Sequence, residues 1–125
     1  SPDQPYVLNY LAYSWLERKI KIKQSMEMLL RAHDQKQNDP YIIDSVGWAY
    51  YLTEDYVSAE KYLKNALLIM PQDPIVNDHY GDVLWKLNMK LQATYYWNSA
   101  LLSDEADDNL KKNINKKLLF GLDNS

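Results

Sequence analysis

Three side chains with metal-binding chemistry lie close together in the segment NDHYGD, residues 77–82. If this segment is helical, Asp78 and Asp82 lie one turn apart on one face, with His79 beside them, and the set could hold a divalent cation. Acidic residues near the start of a helix are more commonly solvated and stabilised by the helix dipole. The pattern therefore favours an acidic helix face, and a metal-dependent enzyme that uses these three residues is the alternative.

Other residues that carry out chemistry are scarce. The chain contains no cysteine, no glycine-rich phosphate loop and no pair of histidines at metal spacing on one helix. Its other histidine, His33, occupies the place that Leu67 and Leu101 take 34 and 68 residues later, which indicates a packing role. We therefore predict that the protein is not an enzyme and binds no cofactor or metal ion.

Composition and charge narrow the class of protein. With 125 residues, of which 46% are hydrophobic and 25% charged, the chain is typical of one globular domain. Its net charge of -3 argues against a nucleic-acid partner, because binding to phosphates requires a basic face. No apolar run approaches eighteen residues, so we expect no insertion into a membrane.

The sequence repeats itself with a period of 34 residues. The recurring residues are Gly47 and Gly81, Ala59 and Ala93, Ala66 and Ala100, and the pairs Asp39–Pro40 and Asp73–Pro74. The first unit matches at a spacing of 35 before its internal turn and 34 after it, which predicts one extra residue in the segment RKIKIK, residues 18–23. Self-similarity at such a period indicates a stack of repeated structural units.

Each unit has the pattern of two amphipathic helices. Asp39–Pro40 and Asp73–Pro74 provide an N-cap followed by proline at the first helical position. Gly47 lets two antiparallel helices approach closely, because a side chain there would push them apart. We predict an all-α fold with six helices over roughly residues 6–103 and a capping helix at about 106–120. The apolar stripe of the capping helix consists of Leu110, Ile114, Leu118 and Leu119.

This arrangement resembles the tetratricopeptide repeat. The second unit matches the family pattern at Val46, Gly47, Tyr50, Tyr56, Ala59, Leu63, Ala66 and Pro71. The resemblance implies a right-handed α-solenoid of three helix pairs in a single domain, 1–125, with units at about 5–39, 40–73 and 74–105. It also implies a scaffold or adaptor that binds other proteins.

Composition adds an expectation about the source. Lysine outnumbers arginine by twelve to two, and asparagine and isoleucine are plentiful. Together with the aromatic-rich first helices, this is similar to tetratricopeptide proteins of bacteria. The resemblance favours the cell envelope over the cytoplasm, although no residue in the chain assigns a compartment. The chain begins with SPDQPY and no capping segment precedes residue 6, so we expect the C-terminal repeats of a longer protein.

In the tetratricopeptide family the first helices of the pairs line a concave groove, and the resemblance implies which residues face it. They are Tyr6, Asn9, Tyr10, Tyr13, Asp44, Trp48, Tyr51, Asp78, His79, Asp82 and Trp85. Exposed Tyr and Trp concentrate binding energy, and the three aspartates favour a basic or apolar protein or peptide partner. The family's cationic clamp for C-terminal carboxylates is not matched, because Tyr10, Asp44 and Asp78 stand where cations are required.

The aromatic side chains divide into two groups by repeat position. We expect Trp48, Tyr51 and Trp85 to be accessible in the groove, and Trp15 and Tyr50 to be buried in the core. A second interpretation of the same pattern is homo-oligomerisation through the apolar flanks that a stack of repeats exposes.

Overall fold

The computed structural model of the protein describes residues 4–122 and contains seven α-helices, with no β-strand in that range. The helices are α1 (Pro5–Glu17), α2 (Ile22–Gln35), α3 (Pro40–Leu52), α4 (Tyr56–Ile69), α5 (Pro74–Lys86), α6 (Lys90–Leu101) and α7 (Asp108–Phe120). The prediction of an all-α fold is confirmed. None of the described helices has the length and apolar character required to cross a membrane.

Side-chain caps set the first residues of α3 and α5. Asp39 Oδ1 accepts hydrogen bonds from the backbone N–H groups of Tyr41 and Ile42 at 2.9 and 3.2 Å. Asp73 caps α5 in the same way, and each aspartate is followed by proline at the first helical position. Such a cap contributes about 1 kcal/mol, so the Asp-Pro pairs determine where α3 and α5 begin.

The turns inside the helix pairs depend on left-handed backbone conformations. The α3–α4 and α5–α6 connections have three residues each, and Glu54 and Asn88 both adopt a φ of 65° there. The α1–α2 connection has four residues, with positive φ at both Lys19 and Lys21. This is the extra residue that the sequence predicts in RKIKIK.

The chain forms two compact units, and the first comprises the residues up to Ala66. Its core lies where α1, α2 and α3 meet, and its fully buried residues include Ala12, Leu16, Leu29, Val46 and Ala49. A Cβ atom at Gly47 would lie 2.7 Å from Leu63 Cγ of α4. Glycine is therefore required at position 47 for α3 and α4 to pack at this distance.

The second unit begins at Leu67, and α5, α6 and α7 form its core. Trp97 of α6 is fully buried together with Ala100 and Ile114. A Cβ atom at Gly81 would lie 2.5 Å from two atoms of the Trp97 ring, so glycine at this position lets the indole lie against α5.

Helix α7 covers this core with a face that differs in part from the predicted stripe. Ile114 is fully buried, and Leu110 and Leu118 pack against the core. Leu119 is 75% exposed, so its assignment to the stripe is wrong. Five residues after Ile114, it projects about 140° away around the helix. Lys117 lies on the packed side instead, three residues after Ile114.

Candidate functional site

A lysine of α7 occupies the acidic face of α5. Lys117 Nζ lies 2.8 Å from Asp78 Oδ1 and 2.9 and 3.1 Å from the two carboxylate oxygens of Asp82. The two aspartates lie one helical turn apart, so a single ammonium group can bind both carboxylates. We call these three residues the lysine clamp.

The clamp is enclosed by protein. The side chains of Lys117, Asp78 and Asp82 are 18%, 11% and 6% exposed. Trp97 Nε1–H also donates a hydrogen bond of 3.0 Å to Asp82 Oδ1. The carboxylate of Asp82 thus accepts bonds from both α6 and α7, which joins the three helices of the second unit.

Burial dominates the protonation of this cluster. Desolvation raises the pKa of Asp82 to about 6, because it outweighs the attraction of Lys117 and is reinforced by the negative charge of Asp78. Burial by itself would lower the pKa of Lys117, but the two carboxylates raise it above its ordinary value. Lys117 therefore stays charged near neutral pH, and Asp82 is the group that titrates.

This geometry changes the predicted role of the acidic residues on α5. Asp78, His79 and Asp82 are all buried, and the two carboxylates are bound to a lysine of the same chain. These residues therefore do not present an exposed acidic surface on α5. A metal ion at this position would have to displace Lys117, and residues 4–122 contain no group of three His, Cys, Asp or Glu side chains suited to holding a metal ion.

Trp85, which is predicted to be accessible, lies half-buried in the second unit. Its ring stacks on Trp97 with centroids 5.3 Å apart, and Lys90 Nζ lies 4.7 Å from its centre. A Cβ atom at Gly121 would lie 2.4 Å from the ring, so the end of α7 is in close contact with this indole. Trp85 is thus part of the packing between α5, α6 and α7.

The aromatic residues of α1 are the most accessible of the predicted set. Tyr6 is 49% and Tyr10 80% exposed, while Tyr13 is half-buried. Helix α1 contacts α3 within the same unit. On α3, Trp48 and Tyr51 stack with centroids 4.6 Å apart and planes at 14°, and both rings are half-buried.

The remaining predicted residues in the first unit are less accessible. Asp44 is buried, and Asn9 is half-buried with an Oδ1 atom that has no hydrogen-bond partner. The expected contrast with Trp15 and Tyr50 is also weaker, because both of these rings are half-buried and not enclosed. The ammonium group of Lys21 lies 4.6 Å from the centre of the Trp15 ring.

Sequence reasoning missed two interactions that organise the second unit, those of Lys117 and Trp97 with Asp82. The sequence feature that indicated Lys117 was its position near Ile114 and Leu118, on the apolar side of α7. A lysine on that side needs an acidic partner, and Asp78 and Asp82 provide it. The signal for Trp97 was a large residue at a position where a close-packing glycine, Gly81, leaves room for a ring.

The sequence and the fold both have known relatives, although no protein-family model matches the sequence. Over 81 residues, or 65% of the chain, it is 37% identical to a TPR repeat-containing protein of Pseudomonas aeruginosa. The chain spans 14% of the length of that relative. Among solved structures, the first TPR domain of Spaghetti (RPAP3), bound there to the HSP90 peptide SRMEEVD, matches with a TM-score of 0.74. This match covers 95% of the chain and 96% of the other, at 14% identity.

The repeat period, the order of the helices and the similar proteins all indicate the same fold. The residues at the 34-residue spacing lie at the caps and close contacts of successive helix pairs, as Asp39, Asp73, Gly47 and Gly81 do. The solved structure with the same fold consists of these repeats, and the bacterial relative is named for them. The chain therefore has the tetratricopeptide repeat fold, and its sequence is similar to that of a bacterial protein named for these repeats.

Proposed function

We propose that the chain is a protein–protein interaction module that binds a partner segment on an aromatic surface of its first unit. We define this tyrosine–tryptophan surface by Tyr6, Tyr10 and Tyr13 of α1 and Trp48 and Tyr51 of α3. The observation that carries the proposal is the exposure of Tyr10, which is 80% accessible to solvent. Tyrosine and tryptophan provide a large contact area and lose little conformational entropy on binding, which makes them common interface anchors.

The relatives support the class of function and leave the partner open. The structurally similar domain holds a peptide in its solved structure, and the bacterial relative is named only for its repeats. A peptide or extended segment of another protein is therefore the partner we propose.

The chemistry of the accessible residues favours an apolar or aromatic partner over a basic one. The carboxylates that would attract a basic segment are buried or bound, since Asp78 and Asp82 contact Lys117 and Asp44 is enclosed. A positive charge lies near one of the tyrosines, since Lys36 Nζ lies 6.0 Å from the centre of the Tyr6 ring. We expect affinity that depends on ring contacts and changes little with ionic strength.

A displayed library of random peptides tests this proposal, because selection from such a library does not require an identified partner. Peptides selected on the wild-type protein should bind the Tyr10→Ala variant at least ~30-fold more weakly, as expected for an anchor worth ~2 kcal/mol. Tyr95→Ala is the matched control, because it removes a similarly exposed tyrosine from α6 in the other unit. The proposal would be contradicted if the selected peptides bound both variants with the same affinity as the wild-type protein. It would also be contradicted if the selection yielded lysine-rich peptides whose binding is lost at high ionic strength.

A further inference from the structure

Helix α6 presents an exposed face without charges. Leu91, Tyr95 and Leu102 are 82%, 68% and 82% exposed. With the exposed Asn98 they follow one face of the helix, away from the buried Trp97 and Ala100. The stretch from Leu91 to Ser103 contains no acidic, basic or histidine residue. Thirteen uncharged residues are unusual for a surface helix in a chain in which a quarter of the residues are charged.

The same repeat positions in α4 differ in one respect. The residues 34 positions earlier are Val57, Lys61, Lys64 and Leu68, and all four are exposed. The outer positions are apolar in both helices, but lysines separate them in α4, whereas α6 has Tyr95 and Asn98. The repeat fold therefore accepts lysine at these positions, and their absence from α6 is not required by packing within the chain.

The intervals between the exposed residues on this face of α6 are the same when read from either end of the helix. From Leu91 to Tyr95, Asn98 and Leu102 the steps are four, three and four residues. If a second α6 packs antiparallel about a two-fold axis midway between Tyr95 and Asn98, each Leu91 faces Leu102 of the second copy. Each Tyr95 then faces Asn98, so the face is complementary to itself, as an isologous contact requires. We propose that this face, the α6 face, is a homodimer interface of the protein.

The charges that flank the stretch agree with this pairing. Lys90 precedes it and Asp104 follows it. In the antiparallel arrangement Lys90 of one copy lies beside Asp104 of the other, at both ends of the contact. Attraction at the rim fixes the register, and the uncharged centre avoids repulsion between two chains of net charge -3. This proposal does not depend on the tyrosine–tryptophan surface, which lies in the other unit.

The dimer should be weak and reversible. A 12-residue helix is about 18 Å long, and a contact between two such helices buries less than the ~1,200 Å² of a standard interface. We therefore expect dissociation in the micromolar range or weaker. Sedimentation equilibrium from micromolar to millimolar protein should show the average mass rising from 14.7 kDa toward twice that value.

The decisive variant gives α6 the residues of α4. Tyr95→Lys combined with Asn98→Lys should keep the mass at that of the monomer at every concentration, with unchanged helical content. Val57→Lys is the matched control, because it adds a lysine to an equally exposed apolar position of α4 and should leave the association unchanged. A wild-type mass that stays monomeric at millimolar concentration would overturn the proposal, as would dimers that persist in the lysine variant.

Two further experiments test the register and do not depend on the folding of the double lysine variant. Lys90→Asp should weaken association, and adding Asp104→Lys should restore it. Because the chain has no cysteine, Leu91→Cys and Leu102→Cys variants can also be mixed and oxidised. Mixed disulfides should exceed both homodimeric disulfides. A statistical mixture, or failure of the charge exchange to restore association, would refute the antiparallel pairing.

Discussion

Replacing Lys117 with methionine keeps most of the length of the side chain and removes its charge. The ammonium group contacts two carboxylates at 2.8 to 3.1 Å, and the three side chains are at most 18% exposed. Removing one partner of such a buried pair leaves the other charge without compensation and costs on the order of 3–5 kcal/mol. We expect a loss of this size in the free energy of unfolding at pH 7.

The pH dependence of this loss separates electrostatics from packing. Asp82 has a pKa of about 6 in the folded protein, and without Lys117 its pKa should rise further. At pH 5 the Asp82 carboxyl takes up a proton, and the variant no longer buries two uncompensated charges in one place. The cost of Lys117→Met should therefore be smaller at pH 5 than at pH 7.

Urea unfolding followed by far-ultraviolet circular dichroism measures both values. Lys116→Met is the control, because Lys116 is exposed on the same helix and should change stability by no more than ~0.5 kcal/mol. If Lys117→Met matched this control at pH 7, the clamp would contribute nothing to folding. A large loss that is equal at both pH values would mean that the lysine acts through its packing alone.

Three other predictions concern single residues of the two units. Relative to Asp82→Asn, the wild-type protein should gain about 1 kcal/mol of stability between pH 7 and pH 5, because a folded carboxyl of pKa about 6 binds a proton that the unfolded one, at 3.8, does not. That gain is complete below the unfolded pKa and is lost as the pH rises through the folded pKa, so paired urea titrations with the opposite trend would contradict it. Gly81→Ala should cost ~1–3 kcal/mol, because its Cβ would overlap the Trp97 ring; a variant as stable as wild type in thermal unfolding would show that the ring moves freely. Trp48→Ala should cost roughly 2–3 kcal/mol of unfolding free energy, because Trp48 packs against the core and on Tyr51. Tyr10→Ala should change the unfolding free energy by no more than ~0.5 kcal/mol. Equal losses for the two variants in chemical denaturation would contradict this ranking.

Local and periodic features were readable from the sequence. The Asp39–Pro40 and Asp73–Pro74 pairs predicted where α3 and α5 begin, because a cap and a proline act on the backbone next to them. Gly47 and Gly81 predicted close helix contacts, since no other residue leaves that space. The extra residue of the first turn followed from counting alone.

The sequence could not predict how deeply the residues on each helix face are buried. The repeat register places Asp78 and Asp82 on one face of α5, but only the position of α7 decides that Lys117, 39 and 35 residues further along, binds them. The same limit applies to Trp85, whose ring is covered by Gly121. Register determines the direction of a side chain, and burial depends on the next element that packs there.

The lysine clamp has a consequence for how the second unit can be rearranged. Because Asp82 accepts one hydrogen bond from Trp97 and two from Lys117, α5, α6 and α7 form an inseparable triplet and not a pair with a removable lid. An engineer who inserts another repeat between α6 and α7 must provide a new cation for the two aspartates or neutralise them. Without such a change, the inserted repeat would separate Lys117 from Asp78 and Asp82 and leave two buried carboxylates without a cation.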